Sequence, residues 1–134
     1  MRGGEKKRIL VVDDERTIAD TLSVVFSFNG YLARAAYSAE QALATAPEWR
    51  PDLAIIDMHL PGLNGIELAA ALRARYWGMR IVLFSGRPDA ADVVRAAGQS
   101  FEVLIKPVHP SEMLRMTSRM LGPSDESGYE QVAS

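Results

Sequence analysis

The chain has 134 residues, 48% hydrophobic and 24% charged, with a formal net charge of -2 and no cysteine. That length and balance describe one ordinary domain with a core of its own, not a disordered chain. The lack of cysteine excludes disulfides, thiol catalysis and thiolate metal sites. The near-neutral charge gives no reason to expect direct nucleic-acid binding. The basic stretch Lys6-Lys7-Arg8 reads as part of a solvated N-terminal arm over residues 1–7 and the start of the first strand. No apolar run has the length of a membrane span or the form of a signal peptide, so the expectation is no membrane association and a cytoplasmic location.

Short apolar runs alternate with helical patterns, the signature of a parallel sheet covered by helices. Ile9–Val12 is the first strand and ends in Asp13-Asp14. Ile18, Leu22, Val25 and Phe26 then mark one face of a helix that stops at Asn29-Gly30. Tyr31–Ala36 is the second strand, and Ser38 with Gln41 suggests a capping box for a helix through Ala46. Leu53–Ile56 is the third strand and delivers Asp57. Turn residues fill Leu60–Gly65, followed by a helix over Ile66–Arg75.

Ile81–Phe84 is the fourth strand, ending in Ser85-Gly86, and an alanine-rich helix follows from about Pro88 to Gly98. Phe101–Ile105 is the fifth strand and delivers Lys106-Pro107. Pro110 opens the last helix, where proline is tolerated, with His109 in the preceding turn. From Gly122 the chain is polar and patternless, which predicts a tail or linker over 122–134 after a domain over 8–121. Val24 and Phe28 lie off the main stripe of the first helix, and Met113, Met116 and Met120 line the last. Extra core is the expectation for these side chains, with a partner or homodimer surface the lesser reading.

Polar residues thus follow four of the five strands: Asp13 and Asp14, Asp57, Ser85 and Lys106. With right-handed crossovers, all these strand ends lie on one edge of the sheet, where ligands bind in open α/β folds. Three neighbouring carboxylates repel one another unless a cation neutralises them, and an all-oxygen donor set suits Mg2+ rather than zinc. A carboxylate beside such a metal can attack phosphorus, while the metal and an ammonium group stabilise the charge on the transferring oxygens. Taken singly, the first aspartates could cap a helix, the serine could belong to a turn and the lysine could be a solvated charge.

Val12-Asp13-Asp14-Glu15, Pro51-Asp52-Leu53 leading to Asp57-Met58, Pro61-Gly62 with Gly65, Ser85-Gly86 and Lys106-Pro107 occur in this order at strand ends. In this the chain resembles the receiver domains of two-component response regulators over about residues 8–121. The resemblance implies a doubly wound, flavodoxin-like five-stranded parallel sheet in the order 2-1-3-4-5, with helices on both faces. It implies Asp57 as phosphoacceptor, Asp14 as a direct Mg2+ ligand, Asp13 acting mainly through a metal-bound water, and the backbone carbonyl of His59 completing the protein's ligands. Lys106 would pair with the phosphoryl group, and Ser85 would hydrogen-bond to it and move as it arrives. The Lys106-Pro107 peptide is expected to be cis. The donor would be a histidine kinase or phosphotransfer protein, and the chain a signalling phosphoacceptor rather than an enzyme acting on a separate substrate.

The side chains of His59 and Arg87 would border the phosphoryl site and tune the lifetime of the modification. One departure concerns output. Where the family often carries a tyrosine or phenylalanine, three residues before the lysine, this chain has Val103. Valine lacks the reach of a rotating aromatic gate, and Phe101 sits two residues earlier on the same strand face. Two organisations follow: a stand-alone receiver with an unidentified output partner, or the input module of a longer regulator with a DNA-binding or enzymatic output domain. A flavin or nucleotide binder on the same fold is a third reading, and the lack of a glycine- or hydroxyl-rich phosphate cradle after Asp14 argues against it. A receiver-like domain that is never phosphorylated ranks below these, since every residue of the chemistry is present.

Overall fold

The computed structural model of the chain describes residues 5–122. Strands β1 (Arg8–Val12), β2 (Leu32–Ala36), β3 (Leu53–Asp57), β4 (Arg80–Ser85) and β5 (Glu102–Ile105) alternate with helices α1 (Arg16–Phe28), α2 (Ala39–Trp49), α3 (Gly65–Arg75), α4 (Ala90–Ala96) and α5 (Pro110–Leu121). All pairings are parallel, and the order is β2-β1-β3-β4-β5. This is the parallel sheet that the strand–helix alternation predicts, in the doubly wound order that the resemblance implies. The expected tail lies almost wholly outside the described residues, as do residues 1–4 of the arm. No helix among the described residues is long and apolar enough to cross a membrane.

Period-two alternation along the strands divides the core between the two faces. Ile9, Val11, Leu53, Ile55, Val82 and Phe84 point to the face covered by α1 and α5, where Leu22, Phe26, Met113 and Met116 meet them. Leu10, Val12, Ala54, Ile56, Ile81 and Leu83 point to the other face, under α2, α3 and α4. The three central strands are buried on both sides, so they read as continuous apolar runs. Burying one such large side chain is worth about 1.5–3 kcal/mol, which makes the strand register strongly determined.

Several local expectations are corrected by tertiary contacts. The second helix does not stop at Ala46; it runs through Pro47 to Trp49. Trp49 is buried, stacks under the Arg34 guanidinium at 4.9 Å, and offers its carbonyl to Arg8. Those contacts, on a turn whose proline faces solvent, outweigh the hydrogen bond that Pro47 cannot donate. Ser38 does cap this helix by accepting from the Gln41 N–H at 3.1 Å, but the Gln41 side chain reaches back to the Tyr37 N–H, one residue short of a reciprocal box. The fourth helix is shorter than its alanine-rich stretch, Ala90–Ala96 rather than Pro88 to Gly98. Arg8 is not a solvated arm residue, since its N–H donates to Asp52 Oδ2 at 2.8 Å. Val24 and Phe28 are 53% and 81% exposed and add nothing to the core, whereas Met113 and Met116 are buried in it.

The close approach of α3 to the end of β3 depends on Gly65. Its N–H donates to the Met58 carbonyl at 3.1 Å, and a Cβ there would lie 2.2 Å from the Asp57 carbonyl oxygen. Asn64 and Glu67 lock the helix start with a full capping box. Gly65→Ala is expected to cost about 3 kcal/mol of stability by forcing the loop away from the strand. Urea denaturation of the two proteins would measure it, and a loss below about 0.5 kcal/mol would show that the loop relaxes freely.

Candidate functional site

The carboxyl ends of β1 and β3 lie side by side, on either side of the point where the strand order reverses. β1 delivers Asp13, which extends the ladder by donating its N–H to the Ala36 carbonyl at 3.0 Å. Asp13 is fully buried, Asp14 is exposed, and Asp57 at the end of β3 is 4% exposed. One carboxylate oxygen from each of the three lies within 4.8 Å of the other two. The helix-capping explanation of the first pair accounts for little of this. Asp13 Oδ1 accepts from the Glu15 N–H at 2.9 Å, but the N-cap position of α1 is Glu15, which makes no side-chain capping bond.

β4 and β5 complete the edge. Ser85 is fully buried at the end of β4, and the Lys106 N–H donates to its carbonyl at 2.7 Å, joining the two strand ends. The Lys106 Nζ lies 3.4 Å from Asp13 Oδ2 and 3.6 Å from Asp57 Oδ2, ion-pair distances rather than tight hydrogen bonds. The same ammonium sits 4.6 Å from the centroid of the Phe84 ring, so it is held between two carboxylates and an aromatic face. The Lys106-Pro107 peptide is cis. All five residues expected at the sheet edge are therefore brought to it.

Of the two side chains expected to border this cluster, that of His59 does so and that of Arg87 does not. The His59 N–H donates to Asp57 Oδ1 at 3.1 Å, and its Nε2 lies 2.9 Å from Ser85 Oγ. The Arg87 N–H donates to the same Oγ at 3.0 Å, while its guanidinium turns away into a two-bond pair with Asp89. His109 is remote from the chemistry; its Nδ1 accepts from the Ser111 N–H and caps α5. Val103 packs on the face covered by α4. Phe101 packs there too, with the Arg73 guanidinium 4.0 Å from its ring.

Burial is the main force on the Asp13 carboxyl and pushes it up to about 6; the Asp57 charge acts in the same direction, and Lys106 only partly offsets them. The folded protein thus holds that proton more tightly than the unfolded chain does. The stability this contributes is complete below pH about 4 and is lost as pH rises through about 6. The donor set suits a small divalent cation: hard oxygen atoms within one ion's reach, and buried negative charge that a cation would neutralise. In chelator-treated protein, Asp13→Asn is expected to raise stability by roughly 1–2 kcal/mol at pH 7. The gain should vanish at pH 4, where Asp13 is already protonated, and denaturant unfolding at the two pH values would measure both. An equal gain at both would place its origin elsewhere.

Comparison with known proteins agrees with this geometry. A family model described as the response regulator receiver domain matches residues 9–118. The DNA-binding response regulator MtrA of Mycobacterium leprae is 33% identical over 129 residues, covering 96% of this chain and 57% of that protein. The response regulator MprA of Mycobacterium avium is also 33% identical, covering 94% of the chain and 56% of its own length. The chain thus spans little more than half the length of these curated relatives. Among solved structures, the chemotaxis protein CheY4 of Vibrio cholerae superimposes with a TM-score of 0.77 at 28% identity, covering 86% of this chain and 98% of that one. The response regulator TrrA of Thermotoga maritima, determined in complex with Mg2+ and beryllium fluoride, gives 0.76 at 29% identity over 86% of this chain and 99% of its own. With a family model matching most of its length and relatives one-third identical over nearly all of it, the chain belongs to the response regulator receiver domain family.

Proposed function

We propose that this receiver accepts a phosphoryl group on Asp57 from the phosphohistidine of a histidine kinase or phosphotransfer protein in the cytoplasm. The observation that carries this reading is the meeting of Asp13, Asp14 and Asp57 within 4.8 Å, with Lys106 Nζ within 3.6 Å of Asp57 Oδ2. Asp13, Asp14, Asp57 and the His59 carbonyl would hold Mg2+, Asp13 mainly through a water. When bound, Mg2+ neutralises the carboxylates and stabilises charge on the phosphoryl oxygens.

An Asp57 carboxylate oxygen bonds to phosphorus as the phosphorus–nitrogen bond of the donor breaks, its electron pair returning to the imidazole. Lys106 faces the side where the new negative charge appears, and Ser85 donates a hydrogen bond to a phosphoryl oxygen. Hydrolysis of the acyl phosphate returns Asp57 to its carboxylate. The His59 ring flanks the site and governs the approach of water to phosphorus, and the Arg87 side chain would join it on leaving its pair with Asp89. The protein is thus both substrate and catalyst of its own modification, with no separate substrate to turn over.

Output passes through the loop after β4 and the short helix α4, and the signal is read by contact with another protein. Val103 supplies no aromatic to rotate, so Ser85 and its loop carry the change. A second organisation, an input module joined through residues 122–134 to an output domain, is favoured by the greater length of the mycobacterial relatives, one of which is named as DNA-binding.

A small acyl phosphate with Mg2+ should label the parent protein and leave Asp57→Asn unlabelled; equal incorporation in both would remove Asp57 as the acceptor. Chelation of Mg2+ should abolish labelling. Lys106→Ala should slow it by about a hundredfold to a thousandfold, the range for loss of one preorganised donor. Exchange of both His59 and Arg87 for alanine should alter the rate of phosphate release severalfold, and an unchanged rate would exclude their control of water.

A further inference from the structure

Three elements meet at Ser85 Oγ. The residue ends β4 and is fully buried. The backbone N–H of Arg87 donates to Oγ at 3.0 Å, and His59 Nε2, from the loop after β3, lies 2.9 Å away. The His59 N–H in turn donates to Asp57 Oδ1 at 3.1 Å. His59 therefore touches the acceptor carboxylate through its main chain and the serine hydroxyl through its ring. Arg87 offers Oγ only its main chain, because its guanidinium is taken by Asp89 at 2.9 and 2.8 Å.

A serine hydroxyl has a single hydrogen to donate. The Arg87 N–H occupies one lone pair of Oγ, and with the imidazole proton on Nδ1 the His59 Nε2 accepts that single hydrogen. A phosphoryl group on Asp57 presents new acceptor oxygens and needs the same hydrogen. We infer that His59 is a latch: in the resting protein it holds the Ser85 hydroxyl, and it competes with the phosphoryl group for it. The inference rests on the phosphoacceptor reading of Asp57 and adds to it a positioning residue that biases the receiver toward the unmodified arrangement. Breaking a latch of one hydrogen bond favours the phosphorylated arrangement by about twofold to tenfold, the equilibrium worth of one such bond.

The latch differs from a mere steric screen over the site. A screen slows water and therefore changes the lifetime of an acyl phosphate. A latch changes an equilibrium, including that of an analogue that does not hydrolyse. It also depends on an acceptor atom at the tip of the side chain rather than on bulk.

The test is a titration of the full 134-residue chain with beryllofluoride in the presence of Mg2+, followed by fluorine NMR. His59→Ala and His59→Phe should bind about twofold to tenfold more tightly than the parent. His59→Gln, whose side-chain carbonyl can accept the serine hydrogen, should return toward the parent value. Unchanged or weaker binding in the alanine and phenylalanine variants, or a glutamine variant that behaves like phenylalanine, would overturn the latch. A second measurement needs neither metal nor analogue. In resting protein labelled with nitrogen-15 at histidine, Ser85→Ala should move the His59 Nε2 resonance and leave that of His109 in place. A His59 signal that ignores Ser85→Ala overturns the latch whatever beryllofluoride does. A parent that binds no beryllofluoride, although its His59 signal does move, would overturn the phosphoacceptor reading and the competition with it.

Discussion

Like charges brought together in a place with little water are the condition around which the rest of this receiver is arranged. Asp13 and Asp57 are almost wholly withdrawn from solvent, with Asp14 beside them, and nothing in the sheet lets them move apart. Their positions follow from parallel register. Val12 pairs with Ile56 across β1 and β3, so the next residues, Asp13 and Asp57, lie at the same edge. Among the described residues Lys106 alone pairs with these carboxylates, and it reaches both buried ones at once. The raised proton affinity of Asp13 comes first from its burial and then from the neighbouring Asp57 charge, which the Glu15 N–H and Lys106 only partly offset. A site that folds with excess negative charge is prepared for a divalent cation and for a reaction in which charge is redistributed over phosphoryl oxygens.

The walls of the site keep this arrangement rigid on one side and adjustable on the other. On the β3 side, Gly65 allows α3 to start against the backbone of Asp57 and Met58, and the Asn64–Glu67 box fixes the helix start. On the β4 side, the loop after Ser85 leads into a helix of seven residues with only Ala90 and Val94 buried. Few anchors mean a low free energy for local rearrangement. The Ser85 hydroxyl stands between the two sides. Its bonds to His59 and Arg87 connect the rigid acceptor loop to the loosely held α4 segment.

The absence of an aromatic at Val103 has a structural counterpart. Phe101 shares its face but is held by Arg73, whose guanidinium lies over the ring while also donating to the Ser100 carbonyl at 2.8 Å. A ring fixed in that way is no substitute for one that swings beside the phosphoryl site. That leaves the loop after β4 and α4 as the elements on which the proposed coupling rests.

Much of this was legible before any coordinates. Buried parallel strands must be apolar on both faces, which marks their ends, and a polar residue directly after each end has one edge to occupy. Strand order, the acidic cluster and the lysine opposite it follow from such local signals combined with a resemblance spread over most of the chain. Tertiary structure decided whatever depended on partners distant in sequence. Trp49 carries α2 past Pro47 because a buried ring and the Arg8 and Arg34 contacts outweigh a local breaker. Val24 and Phe28 have the composition of core residues but stand in solvent, because α1 already meets the sheet with Ala19, Leu22 and Phe26. The bond between His59 and Ser85 joins residues 26 positions apart, through side chains whose direction no periodicity predicts. The chain by itself determined which residues reach the site; packing decided which of them touch, because contact depends on the separation of elements and not on their order.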